Sequence, residues 1–438
     1  MKKEFAKYTS LNIIAMVSVS FYILVDTFFI SWGIGAYGLA ALNFAIPVWG
    51  IIMGCGLMLG IGGATKYAVL KSQNETADAN QFFTSTIILM LIFSAFFVAC
   101  GVFFADIITA ILGTNSEVFH MSRTYLQTLL LFSPMILVNT MLVCFARNDG
   151  APRLAMLVMV SNSFVNIGLD YIFIIQQEMG MFGAALATGL ANTIGVVILV
   201  IYFIWGNSSF RLVRCKITKS ITFGIFATGL PSLIAEASIS VVMVAFNIVI
   251  FGLSGNIGVA AFGIIANILI VVTAIYNGIA QGIQPLISKY HGSGSIAAVK
   301  SILRYALILT AIISAIIYTA VFFGANQIAN IFNSEQNELL QSLAIMGIRI
   351  YFAGTVFAGF NIIITMYFTS IENPRPAHII SMLRGFIIIL PLVFLLSATG
   401  GITGVWFAFP ITEAIVAVVS CGFYYFYRTR LETIKKDS

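Results

Sequence analysis

The chain has 438 residues, of which 60% are hydrophobic and 9% are charged, and its formal net charge is +6. Soluble proteins contain roughly 45–50% apolar and about 25% charged residues, so this chain has too few charges to cover a water-exposed surface. The composition excludes a soluble enzyme, a disordered protein and a disulfide scaffold, and it predicts an all-α polytopic membrane protein.

Twelve apolar segments follow one another along the chain, and each is long enough for a spanning helix, which needs about 20 residues. The first is too long for the apolar region of a signal peptide, so we predict that it is a span. The hydrophilic breaks are short, apart from residues 206–225 at the centre. The predicted spans are 10–32, 44–65, 83–105, 123–146, 154–175, 181–205, 226–251, 257–281, 302–323, 343–369, 379–398 and 402–427.

The basic residues indicate how these spans are oriented. Of the 22 Lys and Arg residues, 19 fall at the N-terminus, in the even-numbered breaks or in the C-terminal tail. Because cytoplasmic loops are enriched in Lys and Arg, we predict a multi-pass protein of the plasma (inner) membrane with both termini in the cytoplasm. Topology thereby accounts for the positive net charge, and no nucleic-acid partner is expected.

The two halves of the chain resemble each other. Residues 38–41 read Gly-Leu-Ala-Ala and residues 258–261 read Gly-Val-Ala-Ala, an offset of 220 that Gly62 and Gly282 share. Each half holds six predicted spans, an even number, so both halves have the same orientation. Repeats of this kind are typical of transporters whose substrate site lies between the halves. We predict an N-lobe with spans 1–6, a cytoplasmic linker, and a C-lobe with spans 7–12 and a cytoplasmic tail, over residues 1–205, 206–225 and 226–438.

Two acids lie inside predicted N-lobe spans, Asp26 in the first and Asp170 in the fifth. An acid at the centre of a span costs about 2.5–3.5 kcal/mol on insertion scales, so each one needs a reason to be there. Asn162 and Asn166 precede Asp170 at four-residue intervals, which places the three side chains on one helical face. These oxygens suit a proton or Na⁺, whereas the plain alternative for the amides is a hydrogen bond between helices. The predicted cation-coupling residues are Asp26, Asn162, Asn166, Asp170 and Thr188.

Other polar residues of the spans are secondary candidates for the coupling network or the substrate cleft. In the N-lobe these are Tyr22, one turn before Asp26, and Asn192, one turn after Thr188. The predicted C-lobe contributes Glu236, Asn247 and Arg384.

The charged residues of the C-lobe spans allow more than one interpretation. Glu236 faces either a cavity that opens to the cytoplasm or the membrane interface. Arg384 either pairs with an acid or extends to the inner face, and its position about six residues from the cytoplasmic end favours the latter. Glu413 has no evident partner in the sequence.

A series of short motifs runs along the chain in an order and spacing that resemble the multidrug and toxic compound extrusion (MATE) family. The resemblance covers essentially the whole chain, although no single motif is diagnostic. The motifs lie at residues 26–30, 35–41, 150–152, 180–188, 229–232, 281–288 and 401–408.

The resemblance implies twelve helices in two six-helix lobes and drug efflux by cation antiport. The family's DinF-like branch, to which we assign the chain, has a cation site in its N-lobe. The matching positions are Asp26, Asn166, Asp170 and Thr188, and Asn162 lies one turn away. Another branch places a functional acid on the seventh span; Glu236 lies on that span, but its distance from Pro231 matches that pattern poorly.

We therefore expect a secondary active antiporter, not an enzyme, that exports lipophilic, cationic drugs or toxic compounds in exchange for H⁺ or Na⁺. It is expected to be a monomer in the lipid bilayer, with no cofactor and no metal beyond Na⁺. The main alternative is a flippase for lipid-linked oligosaccharide or peptidoglycan precursor. Such a cargo carries diphosphate and needs a strongly basic cavity, yet only Arg384 lies well inside a span. A membrane-embedded enzyme would need a clustered acid or metal motif, which the sequence lacks.

Overall fold

The computed structural model describes residues 1–205, 208–216, 218–333 and 336–434, which are almost entirely helical. Three positions of the predicted linker (206, 207 and 217) and the basic tail residues Lys435 and Lys436 lie outside the described residues. The helices are α1 (Lys2–Gly33), α2 (Ala36–Ser72), α3 (Thr76–Phe103), α4 (Ala105–Ile111), α5 (Ser116–Leu131), α6 (Ser133–Asn148), α7 (Pro152–Asp170), α8 (Gly180–Trp205), α9 (Lys219–Gly292), α10 (Ile296–Phe332), α11 (Glu338–Tyr351), α12 (Thr355–Ser370), α13 (Pro374–Met382) and α14 (Ile389–Ile434).

Twelve spans account for the described helices. At 1.5 Å per residue the 74 residues of α9 would extend about 110 Å, far more than the roughly 30 Å of a bilayer core. The backbone of α9 breaks at Gly255 (φ 59°), so α9 contains two spans. That of α14 breaks at Gly401 (φ 57°), so α14 contains the end of one span, which begins in α13, and the whole of the next. Helices α5 and α6 meet at a bend of 51° and form one span. The prediction of an all-α protein with twelve spans is confirmed.

The backbone repeats the internal symmetry of the sequence. Gly35 and Gly255, 220 residues apart, both take a positive φ between the first and second span of their halves. Gly180 and Gly401 do the same between the fifth and sixth. Glycine lacks the Cβ that makes this conformation costly. These four glycines therefore end helices at matching points of the two halves. The two halves are parallel repeats, as predicted.

The two lobes pack closely at one membrane face. We call the face that carries Lys2 the N-terminal face and the other the opposite face. A methyl group on Gly229 would lie 1.8 Å from the carbonyl oxygen of Met58, and one on Gly282 would lie 2.8 Å from Cα of Thr9. Only glycine allows backbones to approach this closely. The spans of α9 therefore press directly against α2 and α1 of the N-lobe.

Polar contacts between the lobes lie in the same half of the molecule. Lys289 and Tyr290 of α9 donate hydrogen bonds to Glu4 of α1, at 3.1 and 2.9 Å. Lys66 of α2 forms an ion pair of 2.9 Å with Glu372, in the turn that precedes α13. Among the described residues, every hydrogen bond and ion pair that we identify between the lobes belongs to this half.

A buried arginine forms the centre of this contact. The side chain of Arg147, at the end of α6, is 3% exposed. It donates to Asn12 Oδ1 of α1 (2.9 Å), to Gln281 Oε1 of α9 and to Cys144 Sγ (3.1 Å). The sequence places Arg147 in a hydrophilic break, whereas the structure buries it between the lobes.

The described part of the central connection lies against the N-lobe. Ser209 donates its backbone N–H to Asp149 Oδ2 (2.9 Å), and Lys71 pairs with the same carboxylate at 2.8 Å. Phe210 is buried against Phe83, with ring centroids 4.6 Å apart. Helix α9 begins at Lys219, inside the stretch 206–225, and the division into lobes and linker at those boundaries stays a prediction.

Candidate functional site

Two buried carboxyl groups meet inside the N-lobe. Asp170, the last residue of α7, is 0% exposed, and Asp26 on α1 is 9% exposed. Their side chains are close enough for a hydrogen bond between them. A carboxyl–carboxyl hydrogen bond requires a proton, because two ionised carboxylates only accept and repel each other. Two carboxyl groups at this separation can share one proton.

A backbone irregularity accompanies the acid on α7. The chain continues from Asp170 into a π-helical segment, Tyr171–Gln176. Segments of this type are rare and frequently lie at functional sites. The sequence pattern predicts the span and the face on which Asp170 lies, but nothing in it predicts the change of helix type.

An amide and a hydroxyl complete the carboxyl layer. One terminal atom of the Asn166 amide lies 3.0 Å from Asp170 Oδ2, and the other lies 3.3 Å from the backbone nitrogen of Thr188. A carboxylate oxygen accepts and a backbone N–H donates, so the amide nitrogen faces Asp170 and the amide oxygen faces Thr188. The structure thus brings Asp26, Asn166, Asp170 and Thr188 together.

Two tyrosines border the carboxyl layer. Tyr22, a secondary candidate from the sequence, lies within electrostatic range of both Asp26 and Asp170. Tyr125 of α5 does so as well, and the sequence reasoning missed it. A single tyrosine in an apolar span does not indicate a functional site, because only the folded lobe brings α5 beside α1 and α7.

A second polar layer lies about one helical turn closer to the N-terminal face. It contains Asn162 of α7 and Asn192 of α8, both predicted, and Asn139 of α6, which the sequence reasoning missed. Asn139 donates to Asn192 Oδ1 at 3.1 Å. Asn139 is also a polar side chain inside a predicted span, so the rule that identified the other residues would have identified it as well.

Glu236 lies between the lobes at mid-membrane depth. A methyl group on Gly54, at the middle of α2, would lie 3.2 Å from Cβ of Glu236. As a residue Glu236 is partly exposed, and its carboxyl group has no hydrogen-bond partner among the described residues. Both interpretations left open by the sequence, a cavity that opens to the cytoplasm and the membrane interface, stay predictions. Asn247 lies nearer the opposite end of that span, is partly buried, and likewise has no described side-chain partner.

Arg384 and Glu413 form an ion pair inside the C-lobe. The Arg384 guanidinium donates from Nη2 to Glu413 Oε1 (2.8 Å) and from Nε to Oε2 (2.9 Å). Asn361 donates to Glu413 Oε2 at 2.8 Å and in turn accepts from Ser420 at 3.0 Å. The prediction that Arg384 extends to the membrane face is wrong, because an unpaired Glu413 would otherwise remain buried. Arg384 and Glu413 neutralise each other and belong to no basic cavity.

The arrangement as a whole places carboxyl, amide and hydroxyl oxygens inside the N-lobe and the acid Glu236 between the lobes. Carboxylate, amide and hydroxyl oxygens are hard ligands, suited to a proton or to Na⁺ rather than to a soft transition metal. The N-lobe carboxyl layer has no Lys or Arg hydrogen-bonded to it among the described residues. Within the described part of the chain, no cationic side chain neutralises it directly.

The comparisons with known proteins agree with this architecture. The MatE family model matches the chain twice, over residues 12–172 and 231–395, once in each half. The multidrug export protein MepA of Staphylococcus saprophyticus is 26% identical over 418 residues, which is 95% of this chain and 92% of that protein. MepA of Staphylococcus aureus (strain NCTC 8325) is 25% identical over 412 residues, 94% of this chain and 90% of that protein.

Solved structures share the fold over the whole chain. A crystal structure of MATE in complex with MaL6 has a TM-score of 0.91 at 24% identity, covering 99% of this chain and 97% of that one. An outward-facing multidrug resistance MATE family transporter of the MOP superfamily has a TM-score of 0.90 at 23% identity, covering 99% and 97%. At this level of identity the likeness shows the two-lobe fold.

Proposed function

The chain belongs to the MatE family, which consists of transporters and not of enzymes, and on that premise we propose a secondary active antiporter. It exports lipophilic, cationic compounds across the plasma (inner) membrane in exchange for H⁺ or Na⁺. The observation that carries this proposal is the buried pair Asp26 and Asp170, to which no Lys or Arg among the described residues is hydrogen-bonded. Both MepA relatives are named multidrug export proteins, which supports export as the direction of transport.

Helix α1 provides a physical route for coupling. It carries Asp26 in the carboxyl layer, and its first half packs against α9 of the C-lobe through Thr9 and Ile13. Because α1 is one continuous helix from Lys2 to Gly33, a shift at Asp26 also moves its contact with the other lobe. Coupling requires that the cation and the exported compound favour different states. Binding of the cation neutralises the carboxyl pair and favours release of the compound.

Orientation and assignment to a branch follow from the same premise. We place the N-terminal face in the cytoplasm, since it carries most of the basic residues. The described state, with the lobes in contact at that face, is then closed to the cytoplasm. The carboxyl layer at Asp26, Asn166, Asp170 and Thr188 supports the DinF-like branch.

The test is transport in proteoliposomes with one imposed gradient at a time. We expect ethidium, a fluorescent lipophilic cation, to move against the inward flow of one ion, under either a pH gradient or a Na⁺ gradient. The responding gradient identifies the coupling ion. Movement of ethidium under neither gradient, in a preparation that is folded and correctly inserted, would contradict the proposed antiport.

We assign recognition of the positive charge on the substrate to Glu236. For Glu236→Gln we expect the KM for ethidium to rise roughly 5- to 30-fold, which corresponds to about 1–2 kcal/mol for one charge-assisted contact. The measurement is the initial rate of gradient-driven transport against ethidium concentration. Glu117→Gln, at an exposed acid outside the cleft, is the matched control. An unchanged KM in Glu236→Gln would remove this residue from the substrate site.

A flippase remains the second hypothesis from the sequence, and the charge balance counts against it. Its diphosphate cargo needs cationic side chains in the cleft, whereas Arg384 is engaged by Glu413. The acid Glu236 at mid-membrane depth would repel a diphosphate.

A further inference from the structure

Buried oxygen atoms without a hydrogen-bond donor are concentrated in one part of the molecule. Among the described residues, eight buried side-chain atoms lack a partner, and four of them are oxygens that can only accept. The other four are three hydroxyls, which can also donate, and one indole N–H. The four pure acceptors all lie in the N-lobe: Asp26 Oδ1, Asp170 Oδ1, Asn139 Oδ1 and Asn162 Oδ1. The carboxyl layer explains the first two, and the amides of the second layer need another explanation.

The orientation of the Asn139 amide follows from its neighbours. Asn192 donates its amide nitrogen to the carbonyl oxygen of Thr188 at 2.9 Å, and a carbonyl can only accept. Asn192 Oδ1 is therefore the atom that faces Asn139, and it accepts the hydrogen bond from Asn139 Nδ2. Asn139 Oδ1 must then point the other way, where no donor meets it.

The two unpartnered amide oxygens converge on Gly195 of α8. A methyl group at that position would lie 2.4 Å from Asn139 Oδ1 and 2.5 Å from Asn162 Oδ1, with Asn162 Nδ2 at 2.6 Å. Two oxygens at these distances from one point are at most about 5 Å apart. Hard cations lie about 2.3–2.6 Å from each oxygen ligand, so one ion between the two oxygens can contact both.

This amide pair is connected to the carboxyl layer. Asn162, Asn166 and Asp170 follow one another at four-residue intervals on α7, about 6 Å per step along the helix. Thr188 belongs to the carboxyl layer through Asn166, and its carbonyl oxygen holds Asn192 of the amide layer. The amide pair thus lies on the N-terminal side of the carboxyl pair, in the direction in which an incoming cation leaves.

We propose that Asn139 Oδ1 and Asn162 Oδ1, beside Gly195, form a second cation site, at which Na⁺ stays briefly after it leaves the carboxyl pair. The inference rests on the proposed antiport, and it specifies Na⁺, because an amide oxygen does not carry a proton at neutral pH. Neutral oxygens bind the ion less strongly than carboxylates do, and a site on a conduction route must also release its ion.

The test blocks the amide site without changing any of its polar groups. In Gly195→Ala the new methyl group collides with both amides, so we expect the rate of Na⁺-driven ethidium transport to fall about tenfold. Equilibrium binding of Na⁺ to the purified protein, measured by calorimetry, should stay within twofold, since the carboxyl layer is intact. Gly168→Ala is the matched control, because no atom lies within 4 Å of its added methyl group. Asn139→Ala, which removes an oxygen instead of adding bulk, should have the same effect.

The outcomes separate this inference from the proposed function. Normal transport by both Gly195→Ala and Asn139→Ala would overturn the amide site, even if Asp170→Asn is inactive. Loss of equilibrium Na⁺ binding in both variants would also overturn it, because the amides would then only support the carboxyl layer. Transport driven by a pH gradient alone would overturn the assignment to Na⁺. Normal transport by Asp170→Asn would instead contradict the proposed function itself.

Discussion

Replacing Asp170 by Asn should abolish gradient-driven transport, lowering the rate of ethidium movement at least tenfold, and Asp26→Asn should do the same. An asparagine has nearly the shape of aspartate but neither ionises nor takes up a proton. The variant therefore keeps the packing of the buried site and loses the charge that the coupling cation must balance. The measurement is ethidium transport in proteoliposomes under whichever gradient drives the wild-type chain.

The two aspartates should act as one unit. Because the carboxyl groups lie within hydrogen-bonding distance of each other, the double variant should be no slower than either single one, a strong departure from additivity. Asp78→Asn, at an exposed position near the start of α3, is the matched control and should transport normally. Transport within twofold of wild type in both single variants would exclude the carboxyl pair as the coupling site.

Breaking the ion pair of the C-lobe should be the most damaging single change for stability. Glu413 is 4% and Arg384 20% exposed by side chain, and removing one partner of a buried pair costs about 3–5 kcal/mol. We expect Arg384→Met to cause the larger loss, because it leaves the more buried carboxylate without its partner. In Glu413→Gln, Arg384 can turn toward its more exposed side.

The double variant Arg384→Met/Glu413→Gln should recover most of the lost stability. It contains no unpaired charge, and the new glutamine can still accept the hydrogen bond from Asn361. Thermal unfolding in detergent, followed by tryptophan fluorescence, compares the four proteins. If the double variant is as unstable as Arg384→Met, the loss comes from packing and not from the unpaired charge.

Contact between the lobes suggests how a membrane protein of this kind closes one face. Glycines of α9 remove side chains where helices cross, and Arg147 then joins α6, α1 and α9 through neutral amide oxygens. The described partners of Arg147 include no carboxylate, so separation of the lobes breaks only hydrogen bonds at this residue, while the ion pairs Lys66–Glu372 and Lys289–Glu4 lie elsewhere on the same face. Such a contact can open at a lower cost than a buried salt bridge.

The candidate site illustrates which contacts can be predicted along a helix. Asn162, Asn166 and Asp170 share one face of α7 because of their spacing alone, and the structure places them in a column. Asn139 is different, because its only described side-chain partner, Asn192, is 53 residues away on another helix. No spacing rule within a span can relate the two.

Arg384 is a second residue whose contact the sequence did not predict. Its distance from the end of the span favours an exposed guanidinium, whereas Glu413 lies 29 residues later on the next span of the lobe. The proximity of the two residues depends on how the last two spans pack against each other. The position of a residue along its span indicates its depth in the membrane, but it does not indicate which helix lies beside it.

The small fraction of charged residues, 9% of the chain, by itself determined that this protein crosses the membrane, because a bilayer core requires long apolar segments and excludes most charges. The lengths of those segments determined twelve spans, and the glycines at matching positions determined two parallel halves. Only the tertiary structure decided that Asp26 meets Asp170, that Glu413 neutralises Arg384 and that Arg147 lies between the lobes. The physical reason is that charges buried in a membrane are balanced by groups on neighbouring helices, and the packing of whole helices decides those neighbours.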